Sequence, residues 1–295
     1  MADSRRIVHF SWQGVSGFTL ADMTDHSRNP ATFTPPLWLR NPHCQTLWPT
    51  LFRRVRIAPH ARERIETPDD DFLDLDWFRR GNPRLLVLSH GLEGCSRRPY
   101  MLGMAAAALA YGWDVLAWNF RSCSGEMNRQ PRFYHSGSWE DLDLVVQRAL
   151  VDTADYESIA LSGFSMGGNL SLVYLGHKGS ELDPRIAGAV AVSVPCDLAG
   201  SAEQLAKPAN RFYMRRFMKE LRAKMQHKQQ LYPDRINLEG IERMRTFREF
   251  DDQFTAPLHG FRDARDYWHR CSSRRFIQGI GVPTLIINAA DDPFL

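Results

Sequence analysis

The sequence predicts an α/β domain, a mostly parallel sheet with helices on both faces and a helical cap inserted late in the chain. Three observations predict it. Short apolar runs alternate with helical patterns from about Arg84 to Pro195, the rhythm of strand–helix–strand crossovers. Runs such as "LLVLS" and "AGAVAVSVP" are continuous rather than alternating, so they suit short strands buried on both faces. After Pro195 the rhythm gives way to polar, charged, helical sequence and returns only at "VPTLIINAADD".

Taken in order, residues 1–61 read as an irregular arm, rich in Pro, His and Trp, packed on a larger domain. "RERIETPDDDFLDLDWFRR" reads as two strands joined by an Asp-rich turn. "PRLLVLSHG" is a buried strand, "RPYMLGMAAAALAYG" a helix stopped at Gly112, and "WDVLAWNFR" a further strand. "SWEDLDLVVQRALV" is a helix with Ser138 as its expected N-cap. "YESIALSGFSMGG" is a strand entering a sharp turn, followed by the helix "NLSLVYLGHKG" and the strand "IAGAVAVSVP". The expected division is an arm at 1–61, the first part of the core at 62–196, a cap at 197–278 and a second, incomplete core part at 279–295.

Bulk properties narrow the function. The chain has 295 residues, 43% hydrophobic and 24% charged, enough to bury a real core. A net charge of +3 with interspersed signs and no basic run excludes nucleic acid as the main partner. Five scattered cysteines with no CxxC pair argue against a zinc site or disulfide framework and for a reducing compartment. "MADSRRIVHFSW" has no apolar run of signal-peptide length, and no stretch is long enough to span a bilayer, so a cytoplasmic location is expected.

The chemistry is expected at Ser165. In "GFSMGG" the serine sits where a buried strand meets a helix, with small residues where the two backbones pass close. The bare Gly-x-Ser-x-Gly pattern is weak; in a strand–turn–helix setting it marks a nucleophile. Acyl transfer also needs two backbone N–H groups aimed at the developing oxyanion. Met166, directly after the serine, is expected to supply one, and Leu92 in "SHGLEG" the other. His90 is read as a brace for that loop. Asp292, in the acidic pair closing "VPTLIINAADDPF", is expected to orient a histidine, with Asp291 as the fallback.

That histidine should follow the acid in chain order. All ten histidines precede Asp292 and the chain stops at Leu295. The expectation is therefore a truncated product, with the base, last strand and last helix outside it and with little activity of its own. His135 and His259 are the loop histidines that could substitute.

At this point six ordered blocks, "RNPHCQTLWPTL", "SHGLEGCSRRPY", "NFRSCSGEMNRQPRFYHSGSWEDL", "GFSMGGNL", "FDDQFTAPLHGF" and "VPTLIINAADDPF", resemble the YheT-type α/β hydrolases. That bacterial group is similar to the membrane-associated α/β-hydrolase-domain lipases of animals. The resemblance runs from about Pro36 to Leu295 and implies an α/β-hydrolase fold and carboxylic-ester hydrolysis. It matches Ser165 to the nucleophile and Asp292 to the acid, and the family's histidine has no counterpart. Ser122 stands where the family usually has glycine. No cofactor or metal is expected; the partner is a small-molecule ester of small to medium acyl chain, with the cap roofing its pocket. A non-catalytic binding protein on the same scaffold, or thioester or amide hydrolysis, are the alternatives.

Other side chains carry smaller expectations. Arg121 either holds a polar substrate group or pairs with Glu126 or Asp141, and Cys95 and Cys123 are inert packing. Arg215, Arg216, Lys219 and Arg222 form a basic face beside Phe212, Met214, Phe217 and Leu221. It reads as a solvated face over packed apolar residues, and it also fits weak contact with a membrane surface.

Overall fold

The structure is a computed structural model and describes residues 35–152 and 154–295; the arm before residue 35 lies outside the described residues. The sheet strands, in chain order, are β1 (Ala61–Thr67), β2 (Asp71–Phe78), β3 (Arg84–Ser89), β4 (Asp114–Asn119), β5 (Ser158–Phe164), β6 (Ile186–Val192) and β7 (Thr284–Ile287). They lie side by side as β1-β2-β4-β3-β5-β6-β7. β1 and β2 form a hairpin that joins the edge of β4 in antiparallel fashion, and all pairs from β4 to β7 are parallel. The hairpin register is reinforced by charge: Arg62 faces Asp76 and Arg64 faces Asp74, each arginine donating from Nε and Nη2 to the two carboxylate oxygens of its partner.

Side chains on the central strands alternate between two faces. Leu88, Val115 and Ala117 point to one face, where α2 (Pro99–Ala110) covers them with Met101, Ala105 and Leu109. Leu85, Val87, Leu116 and Trp118 belong to the opposite core, with Leu142, Val145 and Val146 of α3 (Trp139–Leu150) and Leu170 and Leu172 of α4 (Met166–Lys178). Covering both faces is what lets these strands be apolar throughout, as their sequences predict.

Between β6 and β7 the chain leaves the sheet. It forms α5 (Leu198–Ala206), α6 (Arg211–Leu231), a helical stretch over 247–258 and α7 (Ala264–Cys271). Within that stretch Asp251–Thr255 widens into a π-helical turn. Helix α6 buries Met214, Met218, Leu221 and Met225 on one stripe. Among the described residues no helix is long and apolar enough to cross a membrane.

Four local expectations are corrected. Part of the supposedly irregular arm is a regular helix, α1 (Pro42–Phe52): Asn41 caps it by accepting from the His43 and Cys44 amides, and Pro42 sits at its first position, where no N–H is needed. Ser138 starts α3 but does not cap it through its side chain; its hydroxyl accepts from the His135 amide instead. Phe212 is not part of the packed face of α6; it is 62% exposed. Of the basic residues beside it, Arg215, Arg216 and Lys219 are exposed, while Arg222 turns back onto the Met244 carbonyl.

The fourth concerns Arg121. It is structural, but its partners are more numerous than a single pair. Its guanidinium, 2% exposed, bonds Asp141 at 2.7 Å, Asp71 at 2.8 Å and Asp69 at 2.9 Å. Glu126 pairs with Arg64 instead. Asp71 also accepts from Asn128 and the Arg129 amide, so one buried cation ties the β1–β2 turn to the loop after β4 and to the start of α3. Removing it leaves two buried carboxylates without their cation. Arg121→Met is expected to cost about 3–5 kcal/mol. Chemical denaturation of the purified variant checks this, and a loss within about 1 kcal/mol would show that the carboxylates find other partners.

Candidate active site

β5 ends at Phe164 and α4 begins at Met166, leaving one residue to reverse the chain. That residue is Ser165, with φ 51° and ψ −119°. Residues carrying a side chain rarely adopt positive φ, and such strain persists only where the surroundings enforce it. Here the surroundings are bare backbone. A Cβ on Gly163 would lie 2.2 Å from the Gly167 carbonyl oxygen, and one on Gly167 2.4 Å from the His90 carbonyl oxygen. The Ser165 amide donates to the Val192 carbonyl at 2.8 Å, and its carbonyl accepts from the Asn169 amide at 3.0 Å. Its hydroxyl bonds no described residue.

The loop after β3 packs directly on this serine: a side chain at Gly91 would meet the Ser165 Cβ at 3.4 Å. The amides on either side of Leu92 are taken. Gly91 N–H donates to the Tyr100 hydroxyl at 3.0 Å and Glu93 N–H to the Tyr134 hydroxyl at 3.1 Å. The Leu92 amide itself donates to no described residue. The same holds for Met166, whose amide is one of the free donors in the first turn of α4. His90 braces the loop: Nδ1 donates to the Gly91 carbonyl at 2.8 Å and Nε2 accepts from the Phe120 amide at 3.1 Å. Burial pushes its pKa down to about 3, so the ring is neutral.

Ser165, Leu92, Met166 and His135 line one cavity of about 100 Å³, shared with Leu205, Leu221 and Phe250 from the inserted segment. Asp292 stands at the turn after β7, where its Oδ1 accepts from the Phe294 amide at 2.9 Å. Burial raises its pKa, and hydrogen bonds from Phe294 and Ser193 partly offset that rise. Ser193 directly follows Val192, whose carbonyl holds the Ser165 amide, so serine and acid occupy the same rim on either side of β6. Asp292 is not itself a cavity wall, although its neighbours Phe294 and Leu295 are.

The two loop histidines that could substitute are held differently. His259 meets the Thr255 carbonyl at 2.7 Å and the Phe133 carbonyl at 2.8 Å, one at each nitrogen. His135 accepts from the Gly137 amide through Nδ1 at 3.1 Å, which leaves its proton on Nε2. Burial, reinforced by the nearby His259, pulls its pKa well below the usual value.

Sequence reasoning missed two kinds of supporting residue. Asn169, fully buried, donates to the Ser136 and Cys271 carbonyls and accepts from the Ser273 amide, pinning α4 to the loops around the cavity. An amide side chain inside an otherwise apolar helix was the available signal. Lys224 and Glu93, buried together at 2.6 Å, left no such signal, because they lie 131 positions apart.

A family model for the α/β hydrolase fold matches residues 84–295. The Escherichia coli (strain K12) protein YheT, named as an esterase, is 40% identical over 289 residues, covering 95% of this chain and 83% of its own length. The mouse phospholipase ABHD3 is 30% identical over 276 residues, and the match covers 89% of this chain and 66% of that relative. Among solved structures, the Pyrococcus furiosus esterase Pf2001 aligns with 49% of this chain and 55% of its own, at 23% identity and a TM-score of 0.43. With its strand–turn–helix serine, its mostly parallel sheet and a match that spans most of its length, the chain belongs to the α/β hydrolase family and is YheT-like within it.

Proposed function

We propose that this protein hydrolyses carboxylic esters with Ser165 as nucleophile. Ser165 Oγ attacks the ester carbonyl carbon as its proton passes to a histidine. The oxygen, now negative, is held by the Leu92 and Met166 amides. Collapse of the tetrahedral intermediate expels the alcohol, which takes the proton, and water then releases the acid from the acyl-enzyme. Asp292 orients the histidine and stabilises its charged form. The observation that carries this reading is the strained Ser165, whose hydroxyl bonds no described residue, packed against a loop whose Leu92 amide likewise donates to no described residue. The names of the relatives, an esterase and a phospholipase, agree with an ester substrate.

The base follows the acid in chain order in hydrolases of this fold. His135 is the second candidate, because it shares the cavity with Ser165. A non-catalytic binding protein is the competing reading, favoured by the lack of a described histidine bonded to the Ser165 hydroxyl. Thioesters and amides would meet the same residues.

The cavity also favours a short acyl chain. An apolar cavity of about 150 Å³ takes up benzene, so about 100 Å³ accommodates a chain of about four carbons. Asp251 lines this space, accepting from the Thr255 hydroxyl at 2.6 Å and the Trp268 indole at 2.8 Å. Burial nevertheless pushes its pKa up to about 7, so at neutral pH the carboxyl carries about half the charge of an ordinary aspartate and becomes neutral as pH falls below that.

A fluorophosphonate probe should label the protein and fail to label Ser165→Ala; equal labelling of both would end the reading, and no labelling of either would favour the binding protein. His135→Asn separates the two bases. Labelling retained within about tenfold excludes His135 as the base, whereas a loss on the order of 10³ or more assigns it to His135. Among p-nitrophenyl esters, butyrate should be cleaved faster than octanoate.

Asp251 generates a stability prediction. A raised pKa means that protonation favours the folded state, so its contribution is full below the ordinary value of 3.8 and is lost as pH rises through about 7. The Tm of Asp251→Asn should therefore gain on wild type between pH 5 and pH 8. Parallel melting curves for the two proteins would count against the assignment.

A further inference from the structure

Helix α6 sends one buried cation down to the loop that carries Leu92. Lys224 Nζ lies 2.6 Å from Glu93 Oε1, and the two side chains are 5% and 9% exposed. The ammonium also sits 4.6 Å above the Tyr134 ring and 3.7 Å from Cys123 Sγ. The Tyr134 hydroxyl grips the same glutamate at both ends: it accepts from the Glu93 amide and donates to the Glu93 carboxylate. Glu93 needs this grip, since its φ is 51°, a conformation that a residue with a long side chain does not hold unaided. It is the residue after Leu92, and Gly91 on the other side is tied to Tyr100. The Leu92 amide, which donates to no described residue, is thus suspended between two anchored residues.

A buried ion pair is a poor source of stability, because apolar residues of the same volume serve as well or better. What it does supply is a fixed geometry. We propose that Lys224 is a positioning residue: through Glu93 and Tyr134 it holds the Leu92 amide in its donating orientation, so that seating α6 over the cavity and assembling the oxyanion site are one event. This inference rests on the ester-hydrolase reading of Ser165 and Leu92. It adds a role for the inserted segment beyond lining the acyl site, because a residue of that segment governs a donor that belongs to the sheet domain.

The test uses the full chain as wild type, Lys224→Met, Glu93→Gln and the double variant. Hydrogen exchange is read first and needs no activity. Amides of residues 90–96 should exchange about tenfold faster or more in Lys224→Met, while amides of β3 and β5 keep their rates. Fluorophosphonate labelling is read second and should slow by about 10- to 100-fold in each single variant, the scale of effect expected when a reacting group is displaced by about 1 Å. Melting temperature is read third. The double variant leaves no unpaired charge, so it should regain Tm relative to Lys224→Met yet stay slow in labelling.

Recovery of Tm and labelling together in the double variant would reduce the pair to a structural contact and overturn the proposal. Unchanged exchange at 90–96 in Lys224→Met would overturn it too. Labelling of Ser165→Ala at the wild-type rate would instead remove the reading beneath it, and the exchange result identifies that case separately.

Discussion

Three stretches of backbone meet at residue 165 with no side chains between them, and the rest of the site depends on that meeting. The carbonyls of Ser89 and His90 at the end of β3 press on Gly167 in the first turn of α4, and Gly163 at the end of β5 presses on the same turn. The crowding forces Ser165 into positive φ, at a cost on the order of 1–3 kcal/mol. What holds it there is burial. Every residue of α4 from Met166 to Leu175 is buried, and each of its leucines contributes about 1.5–3 kcal/mol by leaving water. The burial outweighs the strain, so the serine is exposed to the cavity by a helix that cannot move away.

Charge is used differently at two places around this rim. Below it, Arg121 gathers Asp69, Asp71 and Asp141 into a cluster that joins three segments distant in the chain. Beside it, Lys224 and Glu93 join the inserted helix to the loop after β3. Neither arrangement is an economical route to stability, since buried ions lose their hydration and recover it only through well-aligned partners. Both instead specify where loops stop. The cavity is mostly apolar, and burial raises the pKa of its one carboxyl side chain, Asp251, to about 7, while the Thr255 hydroxyl and the Trp268 indole bond it, so the site holds little unpaired charge.

Much of this fold was legible in the residues. The strands at the centre of the sheet declared themselves as unbroken apolar runs, because a strand covered on both faces has no polar side to show. The serine turn was legible for a related reason: glycine at 163 and 167 is a steric requirement and leaves a mark in the sequence. The misses share a cause as well. Pro49 and the polar composition around α1 hid a helix that Asn41 and Pro42 announce when read as cap and first residue. Ser138 has the right identity and position for a cap, yet its hydroxyl found the His135 amide first. Phe212 fell outside the apolar stripe of α6, whose buried line runs through Tyr213 and Met214 instead.

The residues by themselves determined the strand order along the chain, the sharp turn at Ser165, the candidate amide at Met166 and the acidic turn at Asp292. Each of these is local, set by periodicity, by glycine sterics or by adjacency to a strand end. Only the tertiary structure decided which of Asp69, Asp71, Asp141 and Glu126 would receive Arg121, that Asn169 would pin α4, and that Lys224 would reach Glu93. Those pairings join residues from about 20 to more than 100 positions apart, brought together by crossover connections and an inserted cap. A charged side chain in a sequence records that it needs a partner, but not which one, because that choice is made by the path of the chain.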